Sequence, residues 1–284
     1  MSMDKKYKQI LLNTENKFLP ILFDHCRSVF SGLHLPSHDH LHHMRVWYYA
    51  KDLLQELSNT GKQFDSDQAG LLILAVFFHD TGLTKTLNED HGLESLKICK
   101  NFLEKNKGLF PFDVKNALRA IEFHDKKESQ ILLSGQSVTD TLKILSLCDD
   151  IDAYGSIGIL RYTEIYLLRG ISYSDLPARV LKNITSRFNL LSAQDWVPEL
   201  FSSKHKARYR YSLEFFQKMQ NNPVSSDVYI KSHNILKSYM DNVYHKKAGM
   251  LKFARSLNKS SDFKTRVFGS NLLTDMQQSI NNYE

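Results

Sequence analysis

Residues 71–82 read LLILAVFFHDTG, an apolar run that ends in a histidine and an aspartate and is stopped by a glycine. The run has little polar interruption, so it predicts a buried helix. Buried helices rarely end on two adjacent ionisable groups unless a partner compensates them. Imidazole and carboxylate together suit a divalent metal ion. His79 and Asp80 are therefore candidate ligands, although a hydrogen-bonded pair at the helix end would also satisfy them.

The sequence on both sides of this run predicts an all-α fold. Apolar residues recur at three- and four-residue spacing, while glycine (12) and proline (6) are scarce. Ser37 and Asp67 are candidate helix N-caps. A hydrophobic fraction of 42% and a charged fraction of 24% are typical of globular proteins and exclude collagen-like and wholly disordered classes.

Further histidines and aspartates stand at predicted helix ends. His42 has Arg45 three residues later, which places both on one helix face. His91 begins a predicted helix, and His124 and Asp149 each end one. Taken singly, each is better explained as a structural group than as a ligand. Several apolar helices that all end in such groups favour one shared metal site.

The order of these residues, H…HD…D at His42, His79-Asp80 and Asp149, resembles the signature of the HD superfamily of metal-dependent phosphohydrolases. Residues 38–46 are similar to the family's HDxxHxxRV helix and residues 77–82 to its hhHDxG segment. Two further elements, DHxxxS and ADRLDAxGAxG, resemble residues 90–95 and 149–158. The resemblance covers residues from about 20 to 220. Asp150 departs from it, because the family has a basic residue there.

The resemblance implies an HD-domain helical bundle with a small C-terminal helical extension. It implies a tightly bound divalent metal ion (Mn, Fe, Zn, Ni or Mg) and a weaker second site. Family members with two metal ions have such a second site. The implied ligands of the first metal are His42, His79, Asp80 and Asp149, with His91 and His124 as the additional ones.

The implied activity is that of a hydrolase, which cleaves a phosphate ester or anhydride of a small, nucleotide-type substrate by metal-activated water. Asp80 would accept the proton of the nucleophile, and His91 or His124 would protonate the leaving oxygen. Arg45, Lys85 and Arg161 are candidates for phosphate binding, with a plain surface role equally open for each. Asp152 is expected to support Asp149.

The C-terminal part differs in composition. From residue 200 onward there are 14 Lys and Arg against 6 Asp and Glu. The polar stretch 221–226 suggests a boundary between an HD-type domain at residues 1–222 and a basic helical segment at residues 223–284. The apolar spacing in residues 228–243 predicts an amphipathic helix, which could provide a homodimer surface.

Other functions stay open. A catalytically weak HD module could bind a nucleotide or nucleic acid as a signal, with the basic and aromatic stretch 204–211 contacting phosphates and bases. HD scaffolds also carry oxygenases and hydratases. Serine hydrolase, P-loop and Rossmann motifs do not occur in the sequence.

Cellular context is predicted from cysteines and hydropathy. Cys26, Cys99 and Cys148 are far apart in sequence, which predicts buried thiols rather than disulfides or a zinc site. No run of about 18 apolar residues occurs, and the polar start does not resemble a secretory signal. We therefore expect a cytoplasmic protein without membrane contacts.

Overall fold

The protein is described here by a computed structural model that covers residues 3–88, 90–126 and 140–280. Within these ranges the chain forms twelve α-helices and no β-strand, so the predicted all-α fold is confirmed. Contacts divide the chain into two compact units.

The helices of the first half are α1 (Met3–Phe30), α2 (His40–Asn59), α3 (Ser66–Phe78), α4 (His91–Lys105), α5 (Lys115–Phe123) and α6 (Thr141–Asp152). A short 3-10 helix, Thr81–Thr84, follows α3. The helices of the second half are α7 (Gly155–Leu168), α8 (Leu176–Ser192), α9 (Glu199–Asn221), α10 (Asp227–Ser238), α11 (Met250–Asn258) and α12 (Phe263–Ile280).

The first unit comprises residues 1–33, 42–149 and 196–201, as far as they are described. Its central helix is α3, in which every residue of the range 69–78 is buried. This helix packs against α1, α4 and α5. Full burial of one large apolar side chain is worth about 1.5–3 kcal/mol. The apolar run of residues 71–78 therefore forms the core around which the other helices of this unit are arranged.

The cap of α3 differs from the predicted one. Asp65, rather than Asp67, is the N-cap, because its carboxylate accepts a hydrogen bond from the backbone N–H of Gln68 at 2.8 Å. The side chain of Gln68 in turn accepts from the backbone N–H of Asp65 at 3.0 Å, which completes a capping box. Asp67 lies in the first turn, where its charge favours the positive helix end.

The second unit comprises residues 34–41, 150–195 and 202–284, as far as they are described. Helix α7 packs against α8 and α12, and α12 also packs against α11. Asp275 of α12 binds the start of α7 by accepting a hydrogen bond from the backbone N–H of Ile157 at 3.1 Å. Arg208 donates to the same carboxylate at 3.0 Å and so compensates its burial.

Ser37 is also not an N-cap. Helix α2 starts at His40, and the hydroxyl of Ser37 donates a hydrogen bond to the carboxylate of Glu164 at 2.8 Å. His38 Nδ1 lies 3.0 Å from the same carboxylate, and the hydroxyl of Tyr239 donates to it. Glu164 is fully buried. The serine therefore satisfies a buried carboxylate of the second unit instead of a helix end.

The described residues from 227 to 280 are mostly helical, as predicted. The amphipathic pattern of residues 228–243 corresponds to α10 followed by a π-helical segment, Tyr239–His245. The boundary that the sequence suggests at residues 222–223 stays a prediction. None of the helices in the described ranges is both long and apolar enough to cross a membrane.

Candidate metal centre

Six of the candidate ligands stand at helix ends of the first unit. His79 and Asp80 follow α3, and His124 follows α5. His91 begins α4, His42 lies in the first turn of α2, and Asp149 lies in the last turn of α6. All six are buried. They are His42, His79, Asp80, His91, His124 and Asp149.

Four of these residues bring ligand atoms to one point, which we call site A. Nε2 of His42 lies 3.1 Å from Nε2 of His79. Oδ2 of Asp80 and Oδ1 of Asp149 each lie 3.4 Å from Nε2 of His42. The same two oxygens lie 3.6 and 3.8 Å from Nε2 of His79. Two imidazoles and two carboxylates of this spacing could hold one metal ion.

Three residues form a second group, site B. Nε2 of His91 lies 3.2 Å from Nε2 of His124. Oδ1 of Asp80 lies 3.2 Å from the His91 nitrogen and 3.1 Å from the His124 nitrogen. These three residues could also hold a metal ion.

Asp80 belongs to both sites, with one oxygen facing each. Burial opposes ionisation of this carboxyl group, but His79, His124, His42 and His91 hold its pKa well below the usual range. The pKa of His91 is raised and that of His124 is raised to about 9, because the hydrogen bond and charge of Asp80 outweigh burial. Asp80 is therefore an ionised carboxylate placed between two clusters of imidazoles.

The histidine rings are oriented by backbone carbonyls. Nδ1 of His79 lies 2.8 Å from the carbonyl oxygen of Val76. Nδ1 of His124 lies 2.9 Å from the oxygen of Ile121, and Nδ1 of His91 lies 3.0 Å from that of Asn88. An Nδ1–H that donates to each carbonyl leaves a lone pair on Nε2, which is the tautomer that binds a metal ion.

The Nε2 lone pairs of this tautomer indicate whether the site suits a cation. In site B the two Nε2 atoms face each other at 3.2 Å, and both rings have Nδ1 within hydrogen-bond distance of a carbonyl. Two lone pairs at this distance repel one another unless a proton or a cation lies between them. A donor set of two imidazoles around an ionised carboxylate, in which a cation can take the place of that proton, therefore fits a divalent cation.

Ser95 holds the segment that carries His79 and Asp80. Its hydroxyl donates to the carbonyl oxygen of His79 at 2.6 Å and accepts from the backbone N–H of Gly82 at 2.7 Å. A Cβ atom on Gly82 would lie 1.9 Å from the carbonyl oxygen of His91. The glycine thus allows the 3-10 helix to approach α4 closely enough to join the two sites.

Two further contacts place His124. A Cβ atom on Gly92 would lie 2.6 Å from the carbonyl oxygen of Glu122, so this glycine allows α4 and α5 to approach. The hydroxyl of Ser146 on α6 donates to the carbonyl oxygen of His124 at 2.8 Å. These contacts link α6, which carries Asp149, to α4 and to the end of α5, which His124 follows.

The predicted phosphate-binding residues have different surroundings. Arg45 is buried on α2, one turn after His42, and Lys85 is exposed at the end of the 3-10 helix. Asp152 and Arg161 belong to the second unit, where the guanidinium of Arg161 donates to the carboxylate of Asp152 at 2.9 Å. Phosphate binding by Arg45, Lys85 and Arg161, and support of Asp149 by Asp152, stay predictions.

The geometry agrees with a comparison to protein families. Residues 23–146 match the family HD-CE. HD-CE is an HD-type family, so this part of the chain is similar to an HD-type domain. The matched range contains His42, His79, Asp80, His91 and His124, and it ends three residues before Asp149. Comparison with curated proteins and with solved structures finds no match.

Three residues around the candidate metal centre were not predicted from the sequence. Asp125 follows His124, and its Oδ2 lies 3.6 Å from Nε2 of His91. His43 is fully buried, its ring centroid lies 4.7 Å from that of His79, and burial lowers its pKa well below the usual range. Ser146 is the third. Only Asp125 has a signal in the sequence, because His124-Asp125 repeats the dipeptide of His79-Asp80.

The sequence also led to predictions for the three cysteines and for the basic and aromatic stretch 204–211 of α9. All three cysteines are buried free thiols, as predicted. Burial raises the pKa of Cys99 and of Cys148, so neither is a nucleophile near neutral pH. In α9, Tyr209 is buried and stacks on Phe188 with ring centroids 3.8 Å apart. Its ring is therefore part of the core of the second unit.

Proposed function

We propose that this protein is a metal-dependent phosphohydrolase that cleaves an ester or anhydride bond of a small, nucleotide-type substrate. The observation that carries the proposal is the convergence of His42, His79, Asp80 and Asp149 on site A. The first three of these residues lie within the range that matches an HD-type family. A cation bound there would lower the pKa of water and orient it toward phosphorus. Its identity is proposed to be one of Mn²⁺, Fe²⁺, Zn²⁺, Ni²⁺ or Mg²⁺.

The residues of the centre have distinct roles in this proposal. Water oxygen bonds to phosphorus, the bond from phosphorus to the leaving oxygen breaks, and the leaving oxygen takes a proton. Asp80, ionised and shared by both sites, accepts a proton from the attacking water. His91 and His124 neutralise charge on the leaving oxygen, either as proton donors or as ligands of a second cation.

Phosphate charge also needs compensation outside the ligands. Lys85 stands at the end of the 3-10 helix that begins after Asp80, and its side chain is exposed. Arg45 lies on the helix that carries His42. We propose Lys85 and Arg45 for phosphate binding in the HD-type domain. We also propose the roles that the resemblance implies for two further residues, which are phosphate binding for Arg161 and support of Asp149 for Asp152.

The test is a hydrolysis screen of the full chain. Chelated protein is supplied with each of the five cations and assayed against nucleotides, dinucleoside polyphosphates and cyclic dinucleotides. We expect cation-dependent hydrolysis of one substrate class. His79→Ala should abolish it, while His245→Ala, which removes an exposed histidine, should not. Metal-loaded protein that hydrolyses none of these compounds would refute the proposal.

A further inference from the structure

Asp125 stands at the edge of site B with an unsatisfied oxygen. Its Oδ2 lies 3.6 Å from Nε2 of His91, the atom that also faces Asp80 and His124. Its Oδ1 is buried and accepts no hydrogen bond from any described residue. A buried carboxylate oxygen without a donor is costly, so a missing positive partner is expected here.

The local structure around Asp125 repeats that around Asp80. In both His-Asp pairs the histidine directly follows the last residue of a helix, α3 for His79 and α5 for His124. Each ring has Nδ1 close to the carbonyl oxygen three residues earlier, so that Nε2 faces the centre. The aspartate after His79 is a shared ligand of both sites. Asp125 follows His124 in the sequence as Asp80 follows His79, and its nearest described charged partner is His91.

The carboxylate of Asp125 would also reduce the excess positive charge of a centre that holds two cations. Sites A and B together contain two carboxylates, Asp80 and Asp149. Two divalent cations would bring four positive charges to a buried cluster, which leaves an excess of two. Asp125 reduces the excess to one and places the added negative charge at site B, where only the shared carboxylate of Asp80 otherwise lies.

We propose that Asp125 is the fourth protein ligand of a cation at site B, beside Asp80, His91 and His124. The inference rests on the proposed function only in assuming that the centre binds divalent cations. It would give site B two imidazoles and two carboxylates, the same composition as site A, once the Asp125 side chain turns toward the three residues already grouped there. The competing explanation is a simple ion pair between Asp125 and a protonated His91. In that case metal binding would not depend on Asp125.

The experiment measures metal stoichiometry, which does not depend on activity. Full-length chelated protein is titrated with Mn²⁺ by calorimetry, and bound metal is counted by elemental analysis after desalting. We expect two equivalents for the wild type. Asp125→Ala should keep the first equivalent at unchanged affinity and weaken the second at least about tenfold. Asp24→Ala, which removes an exposed carboxylate of the same unit, should behave like the wild type.

Two more variants keep the result interpretable. His124→Ala should lose the second equivalent in the same way as Asp125→Ala, and Asp125→His should retain it because imidazole can replace the carboxylate as a ligand. Two equivalents of unchanged affinity in Asp125→Ala, or a single equivalent in the wild type, would overturn the inference. Loss of the second equivalent without any hydrolysis by the wild type would support this inference while the proposed function fails.

Discussion

Oδ1 of Asp80 lies 3.1 Å from Nε2 of His124, although the two residues are 44 positions apart in the sequence. The other oxygen of Asp80 faces His42 at 3.4 Å. One carboxylate therefore joins the end of α3 to both the start of α2 and the end of α5. The predictions below follow from this shared position.

Removal of Asp80 should affect both sites, whereas removal of His124 should affect one. In Asp80→Ala, His42 and His79 lose one of two carboxylates, and His91 and His124 lose the carboxylate that lies between them and site A. We expect no tightly bound metal in Asp80→Ala and about one equivalent in His124→Ala. Elemental analysis of both variants checks this, and equal metal content in the two would contradict a shared carboxylate.

Gly82→Ala should destabilise the fold strongly. The added Cβ would lie 1.9 Å from the carbonyl oxygen of His91, a backbone atom that cannot move alone. We expect a loss of about 3 kcal/mol in the free energy of unfolding, measured with urea.

Gly32→Ala is the matched control for this substitution, because no atom lies within 4 Å of its added Cβ. Its stability should change by less than about 1 kcal/mol. Similar stability of the two variants would show that the 3-10 helix does not approach α4 as described.

Metal affinity should rise with pH. The charge and hydrogen bond of Asp80 raise the pKa of His124 to about 9 in the metal-free protein, so below that pH a proton occupies the ring. A cation at site B must displace this proton, and each displaced proton makes the affinity rise about tenfold per pH unit up to about pH 9. Calorimetry at pH 7 in two buffers of different ionisation enthalpy measures the protons released. No proton release would contradict the prediction.

The three thiols should be unreactive in the folded protein. Cys26, Cys99 and Cys148 are all fully buried, and burial raises the pKa of the latter two. Iodoacetamide at pH 8 should label none of them within hours, and should label all three after unfolding in guanidinium. Mass spectrometry counts the labels. Rapid labelling of native protein, or loss of hydrolysis on labelling, would point to a role for a cysteine.

The sequence predicts the helices and most of the candidate centre because both depend on local patterns. Apolar spacing predicts α3. The ionisable pair that follows the apolar run indicates His79 and Asp80 without reference to the rest of the chain. The order of the remaining histidines and of Asp149 carries the resemblance to the HD superfamily. These signals lie within a few residues of each ligand.

The supporting contacts could not be predicted in this way. Ser146 donates to a backbone carbonyl that is 22 residues away, and any hydroxyl at that place would look the same in sequence. The N-cap of α3 was predicted two residues too late, because Asp65 and Asp67 both precede the apolar run. Residues 34–41 group with residues 150–195, since Ser37 and His38 bind Glu164. The sequence of a short segment does not indicate which distant residues it contacts in the fold.

The most direct test is the metal content of the full chain, purified without chelator and analysed at once for transition metals. Imidazoles 42 and 79 with carboxylates 80 and 149 should retain at least about one equivalent of a divalent metal, and Asp149→Ala should lose it. Wild-type protein with no metal above background, and with no calorimetric binding of any of the five cations, would contradict the account.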